Sequence, residues 1–186
     1  VDCQVVGNTS DGVYGGSLKD TPGSSLTLTR CVVSGNGQDG INATYTPVSV
    51  DSCNVSFNRN GVNALNYSSP AVSVVVRNSL IQTNQTAGLN CYGYMVLTVV
   101  SNTISENVDG LVLELNQDAS TKLSDEGISG NVIRRNDLGI KNRSANRVLV
   151  IGGGDITLNT TYEVKNEGSA ALVLDGNSWG TGVASE

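Results

Sequence analysis

The stretch that decides the fold is CVVSGNGQDGI, residues 31–41. It comes back one residue shorter as CNVSFNRNGV at 53–62, and again as NTISENVDGL at 102–111 and NVIRRNDLGI at 131–140. Working outward from these copies, one frame covers the chain. An asparagine stands at Asn8, Asn36, Asn58, Asn84, Asn107, Asn136 and Asn159, and three residues before each stands Val5, Val33, Val55, Ile81, Ile104, Ile133 or Ile156. Three or four residues after the asparagine comes Gly12, Gly40, Gly61, Gly88, Gly110 or Gly139, followed at once by Val13, Ile41, Val62, Leu89, Leu111 or Ile140. Five before the asparagine stand Cys3, Cys31, Cys53, Ser79, Asn102, Asn131 and Gly154. Eight before stand Leu28, Val50, Val76, Val99, Ile128 and Ile151, and ten before mostly Leu or Val.

These offsets decode as three short strands per repeat. Positions ten and eight before the asparagine alternate on one strand, five and three before on a second, and the residues after the glycine on a third. Three strands with turns between them make one triangular coil, and the variable spacing falls in the connections, which a solenoid tolerates. Leu172, Leu174, Asn177 and Trp179 fit the same frame as a last partial coil with Trp179 as a bulky plug, giving about eight coils. The fold class is therefore an all-β parallel β-helix, one domain over 1–186, read as a segment of a longer protein or of an assembly. The asparagine column is expected to point inward, its amides bonding each other up the stack. The asparagine suits the turn, and the following glycine is expected to supply positive φ.

Composition narrows the function. The chain has 186 residues with charged residues at 15%, one Phe, one Trp, no His and a net charge of −6. Without histidine there is no Ser-His-Asp or Cys-His mechanism and no ordinary zinc site. The negative charge argues against a nucleic-acid partner, and no apolar run is long enough to span a membrane.

Segments such as Cys31-Val-Val-Ser-Gly-Asn36, Asn102-Thr-Ile-Ser-Glu-Asn107 and the closing Gly176-Asn-Ser-Trp-Gly-Thr181 resemble the right-handed parallel β-helix repeats of pectate-lyase-like proteins. The resemblance covers essentially the whole chain. It implies the fold and leaves function open, since that fold carries lyases, hydrolases, epimerases, adhesins and tailspikes. It also implies what an enzyme of that kind would need: an Asn-Thr-Asp strand with an Asp-Asp pair and Gly-His-Gly, an Asp-Pro-His-Glu, or calcium carboxylates with an Arg-x-Pro-x-x-Arg stretch. None of these motifs is in the sequence. No catalytic residue, metal site or cofactor is therefore assigned, and the leaning is away from an enzyme.

Four features remain. Cys3, Cys31 and Cys53 share one column, which reads as small buried thiols or permits at most one bond, Cys3–Cys31 or Cys31–Cys53. Seven Asn-x-Ser/Thr sequons are present; those at Asn42, Asn54, Asn66 and Asn142 are expected to point outward as glycosylation candidates, which favours an extracellular or cell-surface location. Asp11 and Asp39 occupy the same position in adjacent coils, and Glu114, Asp118, Asp125 and Glu126 cluster around the longest connection; the first pair could hold Ca²⁺ or act as an acid/base pair, the second group could form a cation-binding lip, and the plain readings are a turn Asp before Gly and a solvated loop. Finally, Tyr45, Tyr67 and Tyr94 follow their glycines by five or six residues beside a row of Asn42, Asn63 and Asn90, an arrangement suited to sugar rings.

The function read from this is a non-catalytic extracellular module of a surface appendage, adhesin or filament with possible glycan affinity. The alternatives are a polysaccharide-active enzyme domain or a structural spacer. The first coil, residues 1–13, has inward apolar positions and no cover, so self-association or an adjoining protein is expected at that end.

Overall fold

A computed structural model describes residues 2–18, 25–116 and 127–180. All strands among them are parallel and fall into three sheets of eight, seven and seven strands. The first sheet runs from Gln4–Val6 to Ser178–Trp179, the second from Val13–Gly16 to Tyr162–Asn166, and the third from Leu26–Thr29 to Leu172–Asp175. Each strand pairs with the equivalent strand one coil away, so the registers reproduce the repeat: Val5↔Val33↔Val55↔Ile81↔Ile104↔Ile133↔Ile156 in the first sheet. Taken in chain order, the strands make six complete turns flanked by a partial turn at each end. The expectation of about eight coils counted those partial ends as whole. No helix among the described residues is long and apolar enough to cross a membrane.

The core is the shared interior of the three sheets. Val33, Val55, Ile81, Ile104, Ile133 and Ile156 are buried from the first sheet, Ile41, Val62, Leu89, Leu111 and Ile140 from the second, and Val50, Val76, Val99 and Ile151 from the third. Successive layers therefore stack like on like. Trp179 pairs with Ile156 in the last layer as the frame requires, and at 42% exposed it is half a lid rather than a core residue.

Two corners of every coil are left-handed. The first falls at Arg30, Ser52, Asn78, Ser101, Gly130, Gly153 and Gly176, with φ between 52° and 63°. The second falls at Gly7, Gly35, Phe57, Thr83, Glu106, Arg135 and Leu158, with φ between 54° and 69°. Each of these residues immediately precedes a member of a stacked column, polar in most coils and buried in the middle of the stack. The bend pulls the next backbone N–H out of strand pairing, and a side chain from the following coil replaces the missing acceptor. Thus the Asn36 N–H donates to Asn58 Oδ1 at 3.1 Å, that of Asn58 to Asn84 at 3.1 Å, and that of Asn84 to Asn107 at 3.0 Å. The side-chain Nδ2 of each also donates to the next Oδ1, from Asn8 to Asn159 without a break. The column is hydrogen-bonded throughout and buried from Asn36 to Asn159; Asn8, in the first coil, is bonded but exposed.

The glycine after the asparagine has a different reason from the one expected. Gly12, Gly40, Gly61, Gly88, Gly110 and Gly139 do not have positive φ; the left-handed residue is the one before the asparagine. What forbids a side chain is the next coil. A Cβ on Gly40 would meet Asn58 Nδ2 at 2.7 Å, the Gly61 carbonyl at 2.8 Å and Val55 at 2.9 Å, and the other five positions are as tight. The exception explains the rule. Glu163 stands where a seventh glycine would, its backbone carbonyl lying where a Cβ on Gly139 would strike it. No further asparagine follows in the ladder, and the buried Glu163 carboxylate accepts from Asn159 Nδ2 in its place. Glu163 is the cap of the amide ladder.

Candidate functional site

The outward face of the second sheet carries the side chains on which a functional reading turns. Alternation puts every second residue outside, and strand register lines these up as Tyr14, Asn42, Asn63, Asn90, Val112, Lys141 and Lys165. The expected row of Asn42, Asn63 and Asn90 is therefore in register. Asn90 Nδ2 donates to Asn63 Oδ1 at 2.9 Å, and Asn63 Nδ2 donates to Asp39 Oδ2 at 2.7 Å. Asn42 Nδ2 donates to Asp11 Oδ2 at 2.9 Å. Asn63 is buried by these neighbours although it lies on the outer face.

The tyrosines lie along the edge of this row. The ring centroids of Tyr45 and Tyr67 are 5.9 Å apart, tilted by 59°. The ring that meets Tyr67 from the next coil is Tyr92, at 5.2 Å and 50°, rather than Tyr94. In that coil the strand runs on through Gly93, so Tyr92 is still on the outer face, in register with Leu65 and Glu114. Tyr45 has φ 54°, and this left-handed bend re-aims a ring that simple alternation would send inward. Tyr67, in the middle, is 54% exposed. The three rings form a tilted ladder spaced within the range in which aromatic pairs attract, and the middle one, Tyr67, stays more than half exposed.

Asp11 and Asp39 are neighbours, as the repeat requires, but their oxygens are taken. Asp39 is fully buried and accepts from Arg59 Nε at 3.1 Å, Arg59 Nη2 at 3.2 Å, Asn60 Nδ2 at 2.8 Å and Asn63 Nδ2 at 2.7 Å. Its backbone N–H donates to Asp11 Oδ1 at 2.9 Å. A buried carboxylate held by a guanidinium and two amides is a structural hub that fixes the amide row from behind. Arg59 was not singled out from the sequence; its position, one before Asn60 in the coil after Asp39, is the signal that could have found it. Asp118, Asp125 and Glu126 lie outside the described residues, and Glu114 stands on the outer face beside Tyr92. Among the described residues no group of three or more His, Cys, Asp or Glu is arranged to hold a metal ion.

The sequon asparagines separate into two pairs. Asn42 and Asn54 lie on outer faces and are partly exposed. Asn66 and Asn142 are buried, contrary to the outward orientation expected of them. Asn66 Nδ2 donates to the carbonyls of Pro70 at 3.0 Å and Tyr94 at 2.5 Å; Asn142 Nδ2 donates to Asn166 Oδ1 at 2.7 Å, and its Oδ1 accepts from the Ser144 N–H at 3.0 Å. They stand four and two residues after the inward Val62 and Ile140, so even spacing puts them on the inner face and they serve corners rather than the surface.

The cysteine column is also in place. Cys31 and Cys53 are buried, Cys3 is exposed, and all are thiols; Cys3 Sγ lies 2.9 Å from Cys31 Sγ. The Cys3 thiol is held above its ordinary range, first by its hydrogen bond with Cys31. Cys91, alone in the core of the second sheet, is pushed up to about 12 by burial.

Comparison with known families gives one match: the model of the right-handed beta helix region fits residues 1–178. No curated protein and no solved structure matches the chain.

Proposed function

We propose that this chain, which belongs to the right-handed β-helix family, is a non-catalytic extracellular module that presents the tyrosine ladder and amide row of its second sheet to a carbohydrate. The family accommodates structural and polysaccharide-related modules, and the finer reading rests on one observation: the rings of Tyr45, Tyr67 and Tyr92 stack along an edge beside the in-register amides of Asn42, Asn63 and Asn90. A sugar ring has an apolar face that lies on an aromatic ring and equatorial hydroxyls that reach amides, and this surface offers both on a rigid β scaffold. The amide row is held in place by Asp39 and Asp11, so little ordering is needed on binding. A surface-appendage or adhesin role fits a rigid rod that exposes a shallow polar-aromatic strip. The outer-face asparagine Asn54 is the glycosylation candidate compatible with this site, since a glycan on Asn42 would cover the amide row.

A glycan array followed by calorimetry on the best hits tests the reading. Binding that Tyr67→Ala weakens at least tenfold, with an unchanged melting temperature, is the expected result. No binding on the array, or affinity untouched by Tyr67→Ala, overturns it and leaves the spacer reading, which the unbroken amide ladder favours. Association through the first coil belongs to the same proposal. The inward Val5 and Val13 there are only partly buried, whereas Val33 and Ile41, their equivalents in the next coil, are closed over; Val6, on the outer face of the same strand as Val5, is well exposed. Light scattering over a concentration series, with Val6→Lys as the comparison, tests it.

A further inference from the structure

We infer that Cys3 and Cys31 form a disulfide that fastens the first coil to the second, with Cys53 left as a thiol. The two sulfurs are already in contact at 2.9 Å. Their residues lie just before the paired positions Gln4 and Val32 of adjacent parallel strands, so their Cα atoms are about one strand spacing apart (~4.8 Å), within the range a disulfide spans. Cys31 Sγ also donates to the Thr29 carbonyl at 3.4 Å, and the sulfur of the next coil adds a backbone contact to the same pattern. Cys53 Sγ accepts the Cys31 N–H at 3.4 Å and donates to the Asp51 carbonyl at 3.3 Å, doing for its corner what an asparagine does in later coils. Ser79 continues that role with the next N–H, accepting from Cys53 at 3.1 Å. Cys53 thus has a corner to hold, whereas Cys3 belongs to the first coil and has no preceding corner among the described residues to serve.

Access selects the same pair. Cys3 is exposed, while Cys31 and Cys53 are buried at 2% and 3%. An external disulfide, such as oxidised glutathione or a thiol–disulfide oxidoreductase, reaches Cys3 first. The Cys3 thiolate attacks one sulfur of that oxidant, forming a mixed disulfide and releasing the other half as a thiolate. Cys31 then loses its proton to the released thiolate or to water and attacks the Cys3 sulfur, expelling the second half of the oxidant. Two protein thiols become one disulfide, and the oxidant is reduced to two thiols. Cys53 lies one coil further from Cys3 than Cys31 does, so Cys31 is the thiol placed to resolve the mixed disulfide.

The consequence is local. Among the described residues the strand Gln4–Val6 pairs with Val32–Ser34 alone, and the bond closes the 28-residue interval between Cys3 and Cys31. It removes the independent opening of the strand Gln4–Val6.

The test uses the whole chain in a glutathione buffer poised like a secretory compartment, trapped with an alkylating agent and mapped by mass spectrometry without reduction. The expected result is a Cys3–Cys31 linked peptide in the wild type and in Cys53→Ser, with Cys53 and Cys91 found reduced. In Cys3→Ser, Cys31 and Cys53 should stay unlinked. Hydrogen exchange compares oxidised with reduced wild type, which removes any dependence on how a variant folds. Exchange at Gln4–Val6 should slow on oxidation by up to on the order of a hundredfold. A Cys31–Cys53 link in either protein, no link at all in the wild type, or unchanged exchange at Gln4–Val6 overturns the inference.

Discussion

Replacing Asn84 by Ala removes four hydrogen bonds, and the structure says which of them matter. Asn84 Oδ1 accepts the Asn58 N–H at 3.1 Å and Asn58 Nδ2 at 3.3 Å, and Asn84 Nδ2 donates to the Val55 carbonyl at 3.3 Å and to Asn107 Oδ1 at 3.0 Å. After the substitution Asn107 Oδ1 still accepts the N–H of residue 84, and Asn58 Nδ2 still donates to the Val33 carbonyl. The backbone N–H of Asn58 is different. It sits at a left-handed corner, in the interior, and loses its acceptor. An orphaned buried donor costs about 1–3 kcal/mol, and the lost bonds and vacated volume bring the total to about 3 kcal/mol. For a chain of this size that lowers the melting temperature by roughly 6–12 °C. The comparison is Asn8→Ala. Asn8 belongs to the first coil, where its Oδ1 has no donor from a preceding asparagine, so the substitution orphans no buried N–H and costs under about 1 kcal/mol. Thermal melts followed by circular dichroism, with hydrogen exchange read at the Asn58 amide, give both values. Equal shifts for the two variants, or an Asn58 amide that stays protected in Asn84→Ala, would refute the corner-replacement account.

Three further outcomes follow from the same geometry. Gly61→Ala puts a Cβ 2.6 Å from the Gly88 carbonyl and 2.7 Å from Ile81, and neither can move without displacing its own coil, so the variant should lose more than about 3 kcal/mol by denaturant melting. Glu163→Ala should lower stability by about 1 kcal/mol, because Asn159 Nδ2 loses one acceptor while keeping the Ile133 carbonyl; Glu163→Gln, which retains an accepting oxygen, should fall by less in the same melt. Hydrogen bonds from Lys165 at 2.8 Å and Arg143 at 3.0 Å hold the Glu167 carboxyl down to about 2 from an ordinary 4.5. With the folded value depressed, its contribution is fully present above about 4.5 and is lost as pH falls through about 2; it lies at the surface, so the difference between wild type and Glu167→Gln at neutral pH should be at most about 1 kcal/mol and should shrink steadily as pH is lowered from 4.5 toward 2.

How much of this was legible depends on whether a residue is tied to the repeat or to one coil. The strands, their inward faces and the asparagine column follow from offsets that recur in every coil, and a fixed offset in a parallel stack means a fixed place in space. The corners hid better. The left-handed residue precedes the asparagine, and Phe57, Thr83, Glu106 and Leu158 share no chemistry that announces it. The frame shows where the glycines stand, but their reason lies in the next coil, so no reading of one repeat alone could supply it. Asn66 and Asn142 were within reach, since parity from Val62 and Ile140 already sends them inward. Tyr92 was harder, because the length of the second-sheet strand changes from four residues at Ile41–Thr44 to seven at Ala87–Gly93, and the edge moves with it.

The same distinction bears on the surface. Most polar side chains on the outer face of the second sheet complete one another's hydrogen bonds: Asp39 is enclosed by Arg59, Asn60 and Asn63, Asn63 is bridged to Asn90, and Lys141 is paired with Asp109 at 2.7 Å. A ligand that displaced these partners would have to replace charge-assisted bonds with its own, so a polar ligand gains little by competing there. Tyr67 is different. Its ring contacts those of Tyr45 and Tyr92, and the residue is still more than half exposed. Covering it removes apolar area from water without breaking any bond the protein already makes. Tyr67→Ala therefore tests the proposed recognition without disturbing a buried bond, whereas Asp39→Asn would disturb the hydrogen bonds that hold the sheet face and so would test folding.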